Sequence, residues 1–170
     1  MRLNVGIIGL GEVAQLVHLP ILSDLNDKYR IKTVADISPS LNEFIVNRYN
    51  ISDSCISPSK ILKDPEIDAV FVLSPDQHHF EFVMEAIKLG KHVFVEKPAT
   101  LNIQQLKELV ELGESFPKQI TMIGYMRRYA GSFLKAKELM QVSPKKTEYL
   151  RFRDIICEGP FSSLKRDRSF

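Results

Sequence analysis

Cysteine is scarce in this chain: Cys55 and Cys157 are the two in 170 residues, and they lie far apart in different kinds of segment. They offer neither a disulfide framework nor the paired spacing of a metal site, and a reducing, cytoplasmic setting is the expectation. The four histidines, His18, His78, His79 and His92, have no metal-ligand spacing with carboxylates or cysteines, so no metal is expected. Long apolar runs are missing. Arg2 precedes an apolar segment in the manner of a signal peptide, but Gly6, Gly9, Gly11, Glu12, Gln15 and His18 interrupt it. No other stretch is long enough to cross a bilayer, so no membrane partner is expected. Charge of one sign is not in excess either. With a formal net charge of +2 and Lys and Arg spread along the chain, there is no phosphate-tracking surface, and no nucleic-acid partner is expected. Internal repeats and low-complexity tracts are absent.

What is present is a composition with 44% apolar residues, enough to bury a core, and a regular alternation of strand and helix signals. Residues 3–8 read as a short apolar strand leading into glycines. Residues 12–26 read as a helix that Pro20 should break or kink. A second strand spans 31–35. Ser38-Pro39 is a capping serine followed by a first-turn proline, and it opens a helix to Tyr49. Ser57-Pro58 repeats the signal for a shorter helix that Asp64-Pro65 stops. Residues 68–73 form a strand apolar on both faces, as expected of an interior strand under helices on both sides. A helix over 75–89 ends at Gly90, and a strand follows over 91–95. Asn102 caps a further helix with Leu106, Leu109, Val110 and Leu112 inward, and 119–124 is the strand after it. A basic, aromatic connector, Tyr125-Met126-Arg127-Arg128-Tyr129, leads to a helix over 132–141 and a lone strand over 148–157. The fold class is α/β: a Rossmann-like, doubly wound parallel sheet over residues 1–124, with residues 125–170 as the start of a second α/β domain.

Two motifs carry chemistry. Gly9-Leu10-Gly11-Glu12-Val13-Ala14 follows a strand and opens a helix. Gly9 permits a tight turn, Gly11 lets the backbone approach a pyrophosphate, and Ala14 keeps helix and strand close. The backbone of Glu12 and Val13 lies at a helix start whose N–H groups and dipole favour phosphate. Asp36, about 22 residues past Ala14, is placed to accept both hydroxyl hydrogens of an adenosine ribose; the alternative is a solvated strand-end aspartate. It would repel a 2′-phosphate, and no Lys or Arg follows within 37–41, so NAD is favoured over NADP. The second motif is Glu96-Lys97-Pro98 at the end of an apolar strand. A lysine there stands beside the crevice where open α/β sheets hold ligands, and it can present a cation or proton donor to a reacting carbonyl or hydroxyl. Glu96 either pairs with it or orients backbone groups. Ser74 and Pro75 are candidates for the nicotinamide side. His79 either joins them or packs locally in the first turn of its helix, while His18 and His92 read as structural. The candidate set is therefore Lys97 as catalytic residue, with Gly9, Gly11, Glu12, Val13, Ala14, Asp36, Ser74, Pro75, His79, Glu96 and Lys97 around the cofactor.

In order along the chain, these motifs together with Gly90-Lys91-His92-Val93 resemble the Gfo/Idh/MocA oxidoreductases, the glucose-fructose oxidoreductase and inositol dehydrogenase family, over residues 1 to about 130. The resemblance implies an N-terminal Rossmann domain and a C-terminal domain with a large open sheet that lines the substrate site and often forms the dimer interface. It also implies oxidation of a secondary alcohol of a sugar or cyclitol, or the reverse. Lys97 would contact the substrate hydroxyl, and Lys97-Pro98 would be a cis peptide. Gly124-Tyr125-Met126-Arg127-Arg128-Tyr129 also resembles the family's strand-end segment, but Met126 stands where asparagine is common, which weakens transfer of that asparagine's polar contact. The family's usual histidine base lies in the C-terminal domain, but this sequence has no histidine after His92 and ends at Phe170. The expectation is a truncated chain carrying the cofactor-binding part, with the 148–157 strand edge unpaired and liable to form homo-oligomers. Two alternatives stay open: a non-catalytic dinucleotide-binding sensor or regulatory module, and a compact reductase similar to the biliverdin-reductase type.

Overall fold

The computed structural model describes residues 2–142. The expected strand over 148–157 and the basic tail lie outside the described residues. The chain divides into two compact units after Met126. In the first, β1 (Leu3–Ile8) leads through the glycine loop to a wide π-helical turn, Ala14–His18, and α1 (Leu19–Asp24). There follow β2 (Tyr29–Ala35), α2 (Pro39–Tyr49), β3 (Asp53–Cys55), α3 (Pro58–Lys63), β4 (Ala69–Val72) and a 3₁₀ turn, Asp76–His78. Then come α4 (His79–Lys88), β5 (His92–Val95), α5 (Ile103–Ser115) and β6 (Thr121–Ile123). Beyond Met126 the described residues hold the end of a 3₁₀ turn, Met126–Tyr129, and α6 (Gly131–Val142).

The six strands form one sheet in the order β3-β2-β1-β4-β5-β6, every pair parallel. The order reverses between β1 and β4, which is where open α/β sheets form a crevice at their carboxyl edge. Because side chains alternate along a strand, neighbours go to opposite faces. Ile8, Ala35, Val70, Val72, Val93 and Val95 join one core with Ile61, Leu62, Val83, Ile87 and Leu109 from α3, α4 and α5. Ile7 and Val34 join the other with Leu19, Leu22 and Ile45 from α1 and α2. Both faces are thereby covered by helices, which is the doubly wound arrangement.

Local signals account for most element ends. Ser38 Oγ accepts from the Leu41 N–H at 3.3 Å, and Asn102 Oδ1 from the Gln105 N–H at 2.9 Å. Three details differ from the sequence reading. The helix does not break at Pro20: proline lacks an N–H and its ring would strike the carbonyl four residues back, but the turn ahead of it is widened, with the Leu19 N–H bonded to Ala14 O. β3 has no sequence signal, being three polar or small residues on an edge that pairs with β2 alone. In α5 the buried stripe is narrower than its apolar face, since Leu109 is buried while Leu106 and Val110 are 39% and 53% exposed.

Lys91 explains its place after Gly90. Its side chain is buried and donates through Nζ to Asp64 O at 2.5 Å and Ile67 O at 2.7 Å, tying the α3–β4 connection to the start of β5. Burial pushes its ammonium below the usual lysine range, partly offset by Asp64 and Asp68.

Candidate functional site

Parallel pairing puts every strand's carboxyl end on one edge, and the ladder continues one step past the strands. Gly9 N–H bonds Ala35 O, Leu73 N–H bonds Ile8 O, Glu96 N–H bonds Val72 O and Gly124 N–H bonds Val95 O, at 2.8 to 3.0 Å. The glycine loop, Asp36, Ser74, Glu96-Lys97 and Gly124 are therefore fixed along a common rim.

At the point of reversal, Gly9 has φ +92°, and a Cβ there would lie 2.6 Å from Ser74 N and 2.7 Å from the Leu73 carbonyl carbon. Only glycine fits that conformation against the end of β4. Gly11 is different: a Cβ there would meet nothing within 4 Å. Its open side lies at the start of the helix, where Glu12 is exposed and Val13 half-buried, and where first-turn N–H groups lack intrahelical partners. Ala14 is fully buried against the core that contains Ile7. The Leu10 peptide between the glycines is held on both sides. Its N–H donates to Asp36 Oδ2 at 2.9 Å, and its carbonyl accepts from Gln15 Nε2 at 2.7 Å. Asp36 Oδ1 accepts from the Ser38 N–H at 3.0 Å, and Asn42 Nδ2 donates to Asp36 O at 2.8 Å. Asp36 thus fixes the glycine loop and the start of α2 as well as standing at the end of β2. Gln15 and Asn42 carried no sequence signal of these duties, since a polar residue on a helix reads as solvated.

A cradle with an open space before Gly11, flanked by a fixed strand-end carboxylate, has the form a dinucleotide needs: Gly9, Gly11 and the backbone of Glu12 and Val13 would hold the pyrophosphate and Asp36 a ribose. Pro75 and Lys97 are exposed on the same rim, with Ser74 half-buried and its Oγ buried without a protein partner. The Lys97–Pro98 peptide is cis.

The expectation of a cofactor contact from His79 is corrected by the structure. Its side chain is fully buried, with Nδ1 2.7 Å from Pro98 O and Nε2 2.7 Å from Ser74 O. An imidazole without surface, both nitrogens on backbone carbonyls, clamps the turn after β5 to the loop after β4 and has nothing to offer a ligand. His18, read as structural, lies closer to the site than the sequence suggested: Nε2 donates to Glu96 Oε1 at 2.9 Å. His92 Nδ1 accepts from the Ile120 N–H at 3.0 Å, an exposed contact where β5 and β6 begin to pair. Among the described residues no group of three His, Cys, Asp or Glu is placed to hold a metal, and no helix is long and apolar enough to cross a membrane.

The reversal point, the glycine cradle and the strand-end acid define a Rossmann-type dinucleotide-binding domain. Sequence comparison places it further. The chain belongs to the Gfo/Idh/MocA oxidoreductase family with an NAD-binding Rossmann fold, whose profile matches residues 3–125. It is 30% identical over 140 residues to the inositol 2-dehydrogenase of Paracoccus denitrificans, covering 81% of this chain and 41% of that protein. The solved myo-inositol 2-dehydrogenase of Lactobacillus plantarum is similar with TM-score 0.77 and 27% identity, over 83% of this chain and 41% of the other. A scyllo-inositol dehydrogenase from Lactobacillus casei, solved with NAD(H) and scyllo-inositol, shares the fold with TM-score 0.78 at 24% identity, over 83% and 41% of the two chains. The chain thus spans about 41% of the length of these relatives.

Proposed function

We propose that residues 3–125 bind NAD in preference to NADP and form the cofactor-binding part of a dehydrogenase acting on a polyhydroxylated small molecule of the sugar or cyclitol class. The observation that carries this reading is the meeting of the glycine cradle and the exposed Lys97 turn on one sheet edge at the reversal of strand order. The substrate class follows the inositol dehydrogenases among the relatives. Asp36 disfavours a 2′-phosphate, and no cation stands within 37–41 to receive one. Oxidation of a secondary alcohol removes a hydride from the carbinol carbon and a proton from its oxygen. Bound nicotinamide supplies the hydride acceptor. Lys97 holds the hydroxyl oxygen and assists the proton's departure. His79, clamped between carbonyls, is not available for that proton.

The test is calorimetric titration with NAD. A Cβ at Gly11 meets nothing within 4 Å, so Gly11→Val is expected to fold and to fill the cradle. NAD affinity is expected to fall at least about 100-fold, the scale of a lost phosphate subsite; unchanged affinity overturns the assignment. A second reading, a dinucleotide sensor without turnover, draws on the profile match to the NAD-binding region at residues 3–125. Tight NAD binding with no dehydrogenase activity across sugars and inositols supports it.

A further inference from the structure

We infer that Glu96 is a positioning residue, held by His18, that sets the Lys97 turn against the helix of the glycine loop. This rests on the proposed role of Lys97 in the site. Two distant parts of the fold, His18 and Gly124, and the neighbouring Lys97 peptide converge on the Glu96 carboxylate. Oε1 accepts from His18 Nε2 at 2.9 Å, and Oε2 accepts from the Lys97 backbone N–H at 3.1 Å. Gly124, at the end of β6, leaves the space the carboxylate occupies: a Cβ there would lie 3.3 Å from Glu96 Oε1 and Cδ and 3.1 Å from Phe94 Cζ. The ring of His18 is itself fixed, edge-on to Phe94 at 5.0 Å and to Phe71 at 6.1 Å, and the side chains of His18 and Glu96 are 12% and 18% exposed.

The route from the cofactor loop to His18 is the wide turn Ala14–His18. One extra residue in a turn rotates the side chains that follow by about 100° relative to an unbroken α-helix. His18, the last residue of that turn, points to the end of β5. The chain of contacts then runs from the helix that would hold the pyrophosphate, through His18 and Glu96, to the N–H of Lys97. A glutamate with one oxygen on His18 and the other on the Lys97 N–H aims its neighbour.

Amide hydrogen exchange on the 170-residue chain, read by NMR, tests this without any turnover. His18→Phe keeps the ring contacts and removes the donor; exchange at Lys97 is expected to rise about tenfold, the worth of one net hydrogen bond, with Val93 and Val95 unchanged. His18→Gln restores a donor and is expected to return Lys97 towards the native rate. Glu96→Leu and Gly124→Ala reach the same carboxylate from other sides and are expected to raise Lys97 exchange similarly. Native exchange at Lys97 in His18→Phe, or in Glu96→Leu should the first variant not fold, overturns the inference. Parallel NAD titration of the native chain separates the two proposals: no binding with the expected exchange pattern rejects the cofactor reading and leaves the Glu96 frame standing.

Discussion

Each oxygen of the Asp36 carboxylate already accepts a backbone N–H, from Leu10 and from Ser38. A carboxylate oxygen carries two lone pairs, so one on each remains for ribose hydroxyls. Asp36→Ala therefore removes two things together, the discrimination against a 2′-phosphate and the anchor of the glycine loop. Calorimetry is expected to show a smaller NAD-to-NADP preference and also a loss of NAD affinity of about tenfold from the loosened loop; an unaltered ratio removes the ribose role. Residues whose chemistry is stated by backbone position were legible in the sequence: Gly9 with its positive φ, the strand-end Asp36 and the turn at Lys97-Pro98. Residues whose role depends on what lies across the fold were not. His79 and His18 are separated from their carbonyl and carboxylate partners by up to 78 positions, and no local pattern announces such a pairing.

At the scale of elements, a single buried lysine links three of them. Lys91 at the start of β5 satisfies two carbonyls of the segment that joins α3 to β4. Lys91→Met keeps the stem and leaves Ile67 O, a buried acceptor costing about 1–3 kcal/mol when unpaired, without that donor, while Asp64 O keeps only the Ile67 N–H. Urea denaturation is expected to show a loss of about 2 kcal/mol or more, with unchanged slope; a loss under about 0.5 kcal/mol would mean water replaces the ammonium. Strong periodicity and capping residues made α2, α4, α5 and the interior strand β4 legible. β3 escaped because an edge strand of three residues buries too little to leave an apolar signature. Of the break or kink expected at Pro20, the structure shows no break but a widened turn just ahead of it.

For the whole molecule, the two cores on opposite faces of one sheet make the cofactor's energy a property of the entire first unit. A ligand at about 100 times its Kd adds about 2.7 kcal/mol to the stability of the state that binds it. NAD at that concentration is expected to raise the melting temperature by roughly 10 °C in differential scanning calorimetry, and by no more than about 2 °C in Gly11→Val. A shift in both alike would place binding away from the cradle. The doubly wound class was legible because a parallel sheet requires strand and helix to alternate, and this chain does so from its first residues.

The wide turn between the glycine loop and α1 also bears on how such sequences diverge. Leu16 and Val17 inside it are 49% and 41% exposed, so their identities are loosely constrained. Their number is not. A one-residue gap or insertion there would leave the cradle intact upstream and Pro20 intact downstream, yet carry His18 off Glu96, so Leu16 and Val17 should accept substitutions freely while the turn accepts changes of length hardly at all.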